Sequence, residues 1–431
     1  MSILTGALFA LFTTSSLIIA LSLKAHHIGL VDTACNRKVH QNDIPTVGGI
    51  AIFGGFLSAL YFVHVSDMYL YLFGFVLPAL ILVGVGAIDD VISVPFRHRF
   101  VAQIVAGLLM TLAGGVVIDQ LGELLLPGTV INLGLLAVPF TIFFLLGLVN
   151  AFNLCDGIDG LAGSLALVAL LGLGAVALIG GQYRIFMELL LLGTCLVAFL
   201  AFNARFPGHH RATVFLGDSG STFLGFALLW FSINMSQGEQ AVMSPVTPLW
   251  FFALPLFDMT TVFIRRLANK QHPFSADREH LHHMFLTAGF SVTQTVLILA
   301  AGALLLAGIG IAGLYLGIPE SIMLLLFFGF LAFYYCMVSR CWVSRRFFGR
   351  AVCRRSGKDR RRGDLQNQGI CQRRGEERRT DPAFVLSAHG KGVSVITPRP
   401  LNEDPLAKLN PSAAEGAGVG STQRSERIGN M

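Results

Sequence analysis

Eleven largely apolar stretches of about twenty residues follow one another along the chain, each long enough to cross the ~30 Å hydrocarbon layer of a bilayer as a helix. They lie at 3–24, 44–64, 69–88, 100–118, 132–150, 158–180, 185–204, 213–234, 246–264, 292–313 and 319–339. Lipid offers no partner to a free N–H or C=O, so continuous runs of this length have to be helical. The expected fold is all-α, a polytopic integral membrane protein of about 11 transmembrane helices. With 54% hydrophobic and 13% charged residues and a mean hydropathy of +0.68, the chain is excluded from the soluble globular class.

The connecting loops alternate in charge. Arg37, Lys38, Arg97, Arg99, Arg205, Arg211, Arg265, Arg266, Lys270 and Arg278 fall on one side, which the positive-inside rule makes cytoplasmic; Arg184 is the exception. Met1 to Ala20 has no basic residue ahead of its apolar run and no small-residue cleavage site, so we expect a retained first span with the N-terminus outside. Residues 1–340 read as a transmembrane domain. Residues 341–431, rich in Arg and then in Pro, Gly and Ser, read as a disordered basic cytoplasmic tail that anchors to anionic lipid rather than to nucleic acid. Seven cysteines without CxxC spacing argue against a disulfide framework and a zinc site. There is no internal repeat.

Carboxylates in such a chain are costly, on the order of 3 kcal/mol each at the centre of the hydrocarbon, and they cluster. Asp89 and Asp90 close the third run, where a helix carboxyl end repels negative charge. In NAFNLCDGIDGLAGS, Asn150 to Ser164, Asp156 and Asp159 open the sixth, where Asp156 could simply cap a helix amino terminus. Asp218, flanked by Gly217 and Gly220, sits about two turns into the eighth, and Asp258 two turns before the end of the ninth. All lie near the cytoplasmic face. Oxygen donors without thiolates suit a hard cation that shares its shell with phosphate oxygens, as magnesium does, and so imply an anionic substrate. The loop RRLANKQHPFSADREHLHHMF adds Arg265, Arg266, Arg278, His280, His282 and His283, groups suited to holding phosphate; membrane-end anchoring is the alternative for the arginines, and plain solvation for His283.

RKVHQNDIPTVGG, GAIDD, NAFNLCDGIDGLAG, VFLGDSGSTFLGF, SPVTPLWFFALPLFDM and PFSADREHLHH, in this order between Val31 and Phe290, resemble the successive motifs of the polyprenyl-phosphate N-acetylaminosugar-1-phosphate transferases. The resemblance implies a cytoplasmic-face active site in a bacterial inner membrane, with the N-terminus periplasmic. It implies transfer of N-acetylglucosamine-1-phosphate from UDP-N-acetylglucosamine to undecaprenyl phosphate, releasing UMP, as the first membrane step of O-antigen or a related surface polysaccharide. By the same resemblance Asp218 and Asn153 are metal ligands for Mg2+, with Mn2+ as a substitute. Asp89, Asp90, Asp156 and His280 are catalytic. Asp159 and Phe215 form a uracil pocket, and Arg265, Arg278, His282 and His283 bind substrate. The expected partners are the two substrates and the bilayer, with a homodimer left open and no nucleic acid. The same reaction with another UDP-N-acetylaminosugar is the nearest alternative, and an ion-coupled transporter is the alternative from a different class.

Overall fold

The computed structural model describes residues 3–32, 43–60, 68–124, 128–270 and 280–355, all within the first of the two units into which the chain divides, Met1–Gln372. Arg278 and the tail beyond Arg355 lie outside the described residues. The elements are α1 (Ile3–Ile28), β1 (Val31–Asp32), β2 (Ile44–Pro45), α2 (Gly48–Ala59), α3 (Met68–Tyr71), α4 (Leu77–Ile92), α5 (Phe96–Leu108), α6 (Ala137–Cys155), α7 (Leu161–Ile179), α8 (Tyr183–Asn203), α9 (Gly217–Ser236), α10 (Thr247–Phe251), α11 (Ala253–Ala268), α12 (Leu281–Thr287), α13 (Val292–Tyr315) and α14 (Glu320–Arg355). A π-turn over Leu72–Val76 joins α3 to α4 just ahead of Pro78, whose missing N–H would otherwise leave an α-helical bond unmade, and another extends α5 over Leu109–Ala113. The single small sheet pairs β1 with β2 antiparallel, Val31 opposite Pro45.

Each of the eleven apolar stretches carries helix. Seven of these helices, in the described residues, are long and apolar enough to cross a membrane by themselves. The remaining four stretches hold α2, with only 12 residues, α5, α9 and the broken pair α10 and α11. α5 carries Arg97, His98 and Arg99 in its first turns, α9 opens on Gly-Asp-Ser-Gly-Ser-Thr, and α11 carries Asp258, Arg265 and Arg266. α5, α9 and α11 supply Arg99, Asp218 and Asp258 to the site described below, and the apolar α4 and α6 supply Asp89, Asp90, Asn153 and Asp156 from their ends.

Burial separates the helices that face lipid from those that face protein. The crossing segments of α1 and α14 are only 22% buried and that of α13 28%, against 67% for α7. Leu8, Phe12, Leu305, Leu325 and Phe333 are all more than half exposed, a face that water would penalise and lipid accepts. α9 is the opposite case, buried without interruption from Ser219 to Ile233. Its neighbours reach it over small residues, as expected where lipid removes any hydrophobic drive and close backbone packing must supply the association. A Cβ at Gly86 of α4 would lie 2.5 Å from the Ser219 Cα, and one at Gly220 would lie 2.8 Å from the Gly49 Cα of α2.

At the end remote from the acids, short polar clamps hold the connections. Gln237 Oε1 accepts the N–H groups of Asp119 and Gln120, both at 3.0 Å, and the Glu320 carboxylate accepts the Glu123 N–H at 2.8 Å. Arg184, the exception to the charge alternation, sits 3.5 Å from the fully buried Glu188 one turn further along α8.

Gly86→Leu should therefore force α4 off α9 and lower stability in detergent by about 1–3 kcal/mol, as overpacking does. Gly84→Leu, two residues away with nothing within 4 Å of its Cβ position, should leave the melting temperature nearly unchanged. Equal losses in the two variants would contradict the packing described.

Candidate active site

The amino end of α9 is the centre of the polar cluster. Gly217 adopts φ 75°, a left-handed conformation that side chains resist, and a Cβ there would lie 2.5 Å from Asp90 Oδ2. The bare backbone lets the Asp90 carboxylate reach the helix end. Asp90 Oδ1 accepts the Asp218 N–H at 2.9 Å and Oδ2 the Ser219 N–H at 3.4 Å. Asp90, repelled by the dipole at the end of its own helix, is thus held by the positive amino end of another.

Its neighbour is met differently. α4 ends at Ser93, whose φ of 55° turns the chain sharply, and Pro95 starts α5. This tight reversal brings the Val94 N–H onto Asp89 Oδ1 at 2.5 Å and Arg99 Nη1 onto Asp89 Oδ2 at 2.6 Å. The same Nη1 lies 3.2 Å from Asp218 Oδ2. Asn153 of α6 donates through Nδ2 to Asp218 Oδ1 at 2.5 Å and to Ser221 Oγ at 3.1 Å. Asn150, one turn earlier, faces Gln103 of α5 instead, at 3.0 Å.

Two expectations about helix position are corrected. α7 begins at Leu161 behind Gly160, so Asp156 does not open it; Asp156 is the residue that ends α6, and the backbone N–H it accepts belongs to Gly217 of α9. Asp218 lies in the first turn of α9 rather than two turns along it, because the Thr213 to Leu216 segment is non-helical loop tied to its neighbours by backbone hydrogen bonds. The Phe215 N–H donates to the Pro45 carbonyl at 2.8 Å, and the Gly48 and Gly49 N–H groups donate to the Phe215 and Leu216 carbonyls at 3.0 and 2.9 Å. Apolar periodicity runs through such a segment without marking where the helix starts.

A second group adjoins the first. Asp159 Oδ2 accepts from Arg205 Nε at 2.6 Å and from the Ala212 N–H at 3.2 Å. Asn203 crosses between the same loops, accepting the Gly160 N–H and donating to the Val214 carbonyl, both at 2.8 Å. Asp258 organises the histidines: Oδ2 accepts from His280 Nδ1 at 2.8 Å, and Oδ1 accepts the Leu281 N–H and the Tyr334 hydroxyl, both at 3.0 Å. His280 and His282 stack with ring planes 4° apart, and His282 packs its Nε2 against Gly157 in the loop that holds Asp156. His283 is half-buried beside them, and Arg265 and Arg266 are buried on the last turn of α11. The structure therefore brings together Asp89, Asp90, Asn153, Asp156 and Asp218, with Asp159, Phe215, His280 and His282 around them.

The sequence reading missed Arg99, taken only as a topology marker, as well as the structural parts played by Asp258, Asn203, Arg205 and Tyr334. A signal for Arg99 existed in its ten-residue spacing from Asp89 across a turn containing Pro95.

A family model described as glycosyl transferase family 4 matches residues 72–236, the stretch that contains α4, α6 and α9. The undecaprenyl-phosphate alpha-N-acetylglucosaminyl 1-phosphate transferase of Escherichia coli K12 is 35% identical over 346 residues, covering 79% of this chain and 92% of that protein. The protein of the same name from Yersinia pestis is 37% identical over 344 residues with the same coverage, and that from Haemophilus influenzae 33% identical over 331 residues, covering 76% and 91%. The chain belongs to glycosyl transferase family 4.

In this family 4 protein the donors fit a hard cation only in part. Among the described residues no group of three or more His, Cys, Asp or Glu side chains is set to hold a metal. Asp218, Asn153 after a turn of its amide, and Ser221 offer oxygens, and the guanidinium that already bridges Asp89 and Asp218 marks a place where positive charge is stabilised. Such a shell suits an ion that keeps waters or ligand oxygens. Burial, followed by the charges of Asp218 and Asp159, pushes Asp156 up to about 7 against the opposing Gly217 N–H. Burial and the neighbouring His283 push His282 down to about 3, so it works as a neutral imidazole. The acids gather at one end of the helices, not along a path through their middle.

A carboxyl raised in the folded state stabilises fully below its unfolded value of about 3.9 and loses that contribution as pH climbs through about 7. Asp156→Asn should accordingly flatten the decline in melting temperature between about pH 4 and pH 7, measured in detergent with a chelator present. An unchanged slope would mean that the charge of Asp156 is not opposed by its surroundings.

Proposed function

We propose that the protein transfers N-acetylglucosamine-1-phosphate from UDP-N-acetylglucosamine to undecaprenyl phosphate, giving undecaprenyl-pyrophosphoryl-N-acetylglucosamine and UMP. The reaction takes place at the cytoplasmic face of a bacterial inner membrane, in a chain that crosses it eleven times with its N-terminus periplasmic. The observation that carries this reading is the convergence of Asp89, Asp90, Asn153, Asp156 and Asp218 on one helix end, in a chain more than a third identical to enzymes named for that reaction.

Both substrates are anionic, and a phosphoanhydride is exchanged for a phosphoanhydride, so the protein's task is alignment and charge neutralisation. Asp218 and Asn153 would hold Mg2+, with Mn2+ able to replace it, and a bound ion would supply charge neutralisation to the diphosphate and to departing UMP. Asp90 fixes the amino end of α9 and so the position of Asp218. Asp89 orients the lipid phosphate; both of its oxygens are engaged by Val94 and Arg99, so it acts on that phosphate only after the guanidinium moves. A phosphate whose second pKa is near 6 is already mostly dianionic at neutral pH and needs little help from a base.

His280, held by Asp258 through Nδ1, presents Nε2 in a fixed orientation to the diphosphate, with neutral His282 stacked behind it. Arg265 and His283 complete the anion-binding side, and the motif resemblance assigns Arg278 to substrate binding as well. Asp159 and Phe215 take the uracil, and the close Arg205 contact sets the direction of the Asp159 carboxylate. The polyprenyl tail stays in the bilayer, where each buried methylene contributes about 0.8 kcal/mol.

The test is Mg2+-dependent exchange of labelled UMP into UDP-N-acetylglucosamine by membranes containing the protein. Exchange is expected in the wild type and none in Asp218→Asn at any Mg2+ concentration, whereas Asp159→Asn should chiefly raise KM for the nucleotide sugar. Absence of exchange in a correctly inserted wild type would reject the reading, and exchange only with a different UDP-N-acetylaminosugar would reassign the donor.

A further inference from the structure

We propose that Arg99 is a built-in counter-ion of the site, which occupies the ground between Asp89 and Asp218 and must be displaced before a divalent ion can bind there. The inference rests on the reading above that Asp218 and Asn153 form the metal side of the site.

Four observations carry it. Arg99 sits in the first turn of α5, where the helix dipole disfavours a cation, so its placement is not explained by its own helix. Its guanidinium turns inward to two acids from two other turns of structure, Asp89 at the end of α4 and Asp218 at the start of α9, through one and the same nitrogen. The arrangement is also not that of a finished structural ion pair. A guanidinium serving structure alone frequently presents its parallel N–H groups as a fork, whereas here Nη1 serves both carboxylates and the buried Nε has no hydrogen-bond partner. The side chain lines a small cavity of about 20 Å³ together with Gln103, Asn150, Asn153 and Asp218, and it is a third exposed, which leaves a way out.

The consequence is electrostatic. With the guanidinium in place, a fixed positive charge stands between the two carboxyl groups, and any ion that enters beside it meets like charge. Divalent binding in the absence of substrate is therefore weak. Binding strengthens when phosphate oxygens enter with the metal and complete its shell. Arg99 acts as a positioning residue through Asp89 and Asp218.

The full-length protein in detergent, free of nucleotide, would be titrated with Mn2+ and free ion followed by electron paramagnetic resonance. Arg99→Gln should bind Mn2+ at least about tenfold more tightly than wild type. Arg99→Lys, which keeps the charge, should remain close to wild type, a rescue that a merely structural role would not produce. The double variant Arg99→Gln with Asp218→Asn should lose the tight site. Equal or weaker binding in Arg99→Gln, with the site still lost in Asp218→Asn, would overturn the counter-ion inference and leave the metal reading intact. Tight binding retained in the double variant would overturn the metal reading itself. Should Arg99→Gln fail to fold, the wild type gives a direct readout: the Arg99 side-chain 15N–1H resonance, assigned by its loss in Arg99→Lys, should shift on saturation with Mg2+. A resonance that stays in place would reject displacement.

Discussion

The positive amino end of a buried helix, α9, is the interaction on which the rest of this structure depends. Free N–H groups at a helix end in a dry interior demand acceptors. Asp90 and Asp156 supply them from the ends of two other helices, α4 and α6. The converse need is met in the same contact. Carboxylates at those carboxyl ends would be repelled by their own dipoles, and α9 gives them the opposite pole. Three helix ends thus stabilise one another, and the side chains of Asp218 and Asn153 ride on the elements so joined.

That contact is available only because the backbones can come close. Gly217 admits the Asp90 carboxylate, and Gly86 and Gly49 let α4 and α2 approach α9 to within reach of its main chain. In lipid the helices gain nothing by hiding apolar surface from water, so association relies on this close fit and on the polar contacts at the helix ends. The division of labour follows: α1, α13 and α14 expose large apolar side chains outward, while α9, the most polar at its start, is buried along nearly its whole length.

The site is assembled with its charges largely answered by protein groups. Asp89 has Arg99 and a backbone N–H, Asp159 has Arg205, and Asp258 has His280, Tyr334 and the Leu281 N–H. A constellation of acids stays folded in the absence of ligand only if such partners exist, since an isolated buried charge costs several kcal/mol. Arg99, shared by two acids through one nitrogen, is the least settled of them.

The sequence by itself determined the helical membrane class, the clustering of acids near one face and the residues of the motifs, because the hydrocarbon layer imposes a length and a polarity that can be counted along the chain. It did not determine which partner each acid takes. Asp90 and Asp89 are adjacent in sequence, yet one holds a helix 128 residues away and the other an arginine across a turn. Nor did it reveal that Asp156 serves α9 rather than the helix that follows it, or that α9 is enclosed by protein. Those outcomes depend on which helix ends meet and how closely their glycines let them pack, and only the tertiary structure decided them.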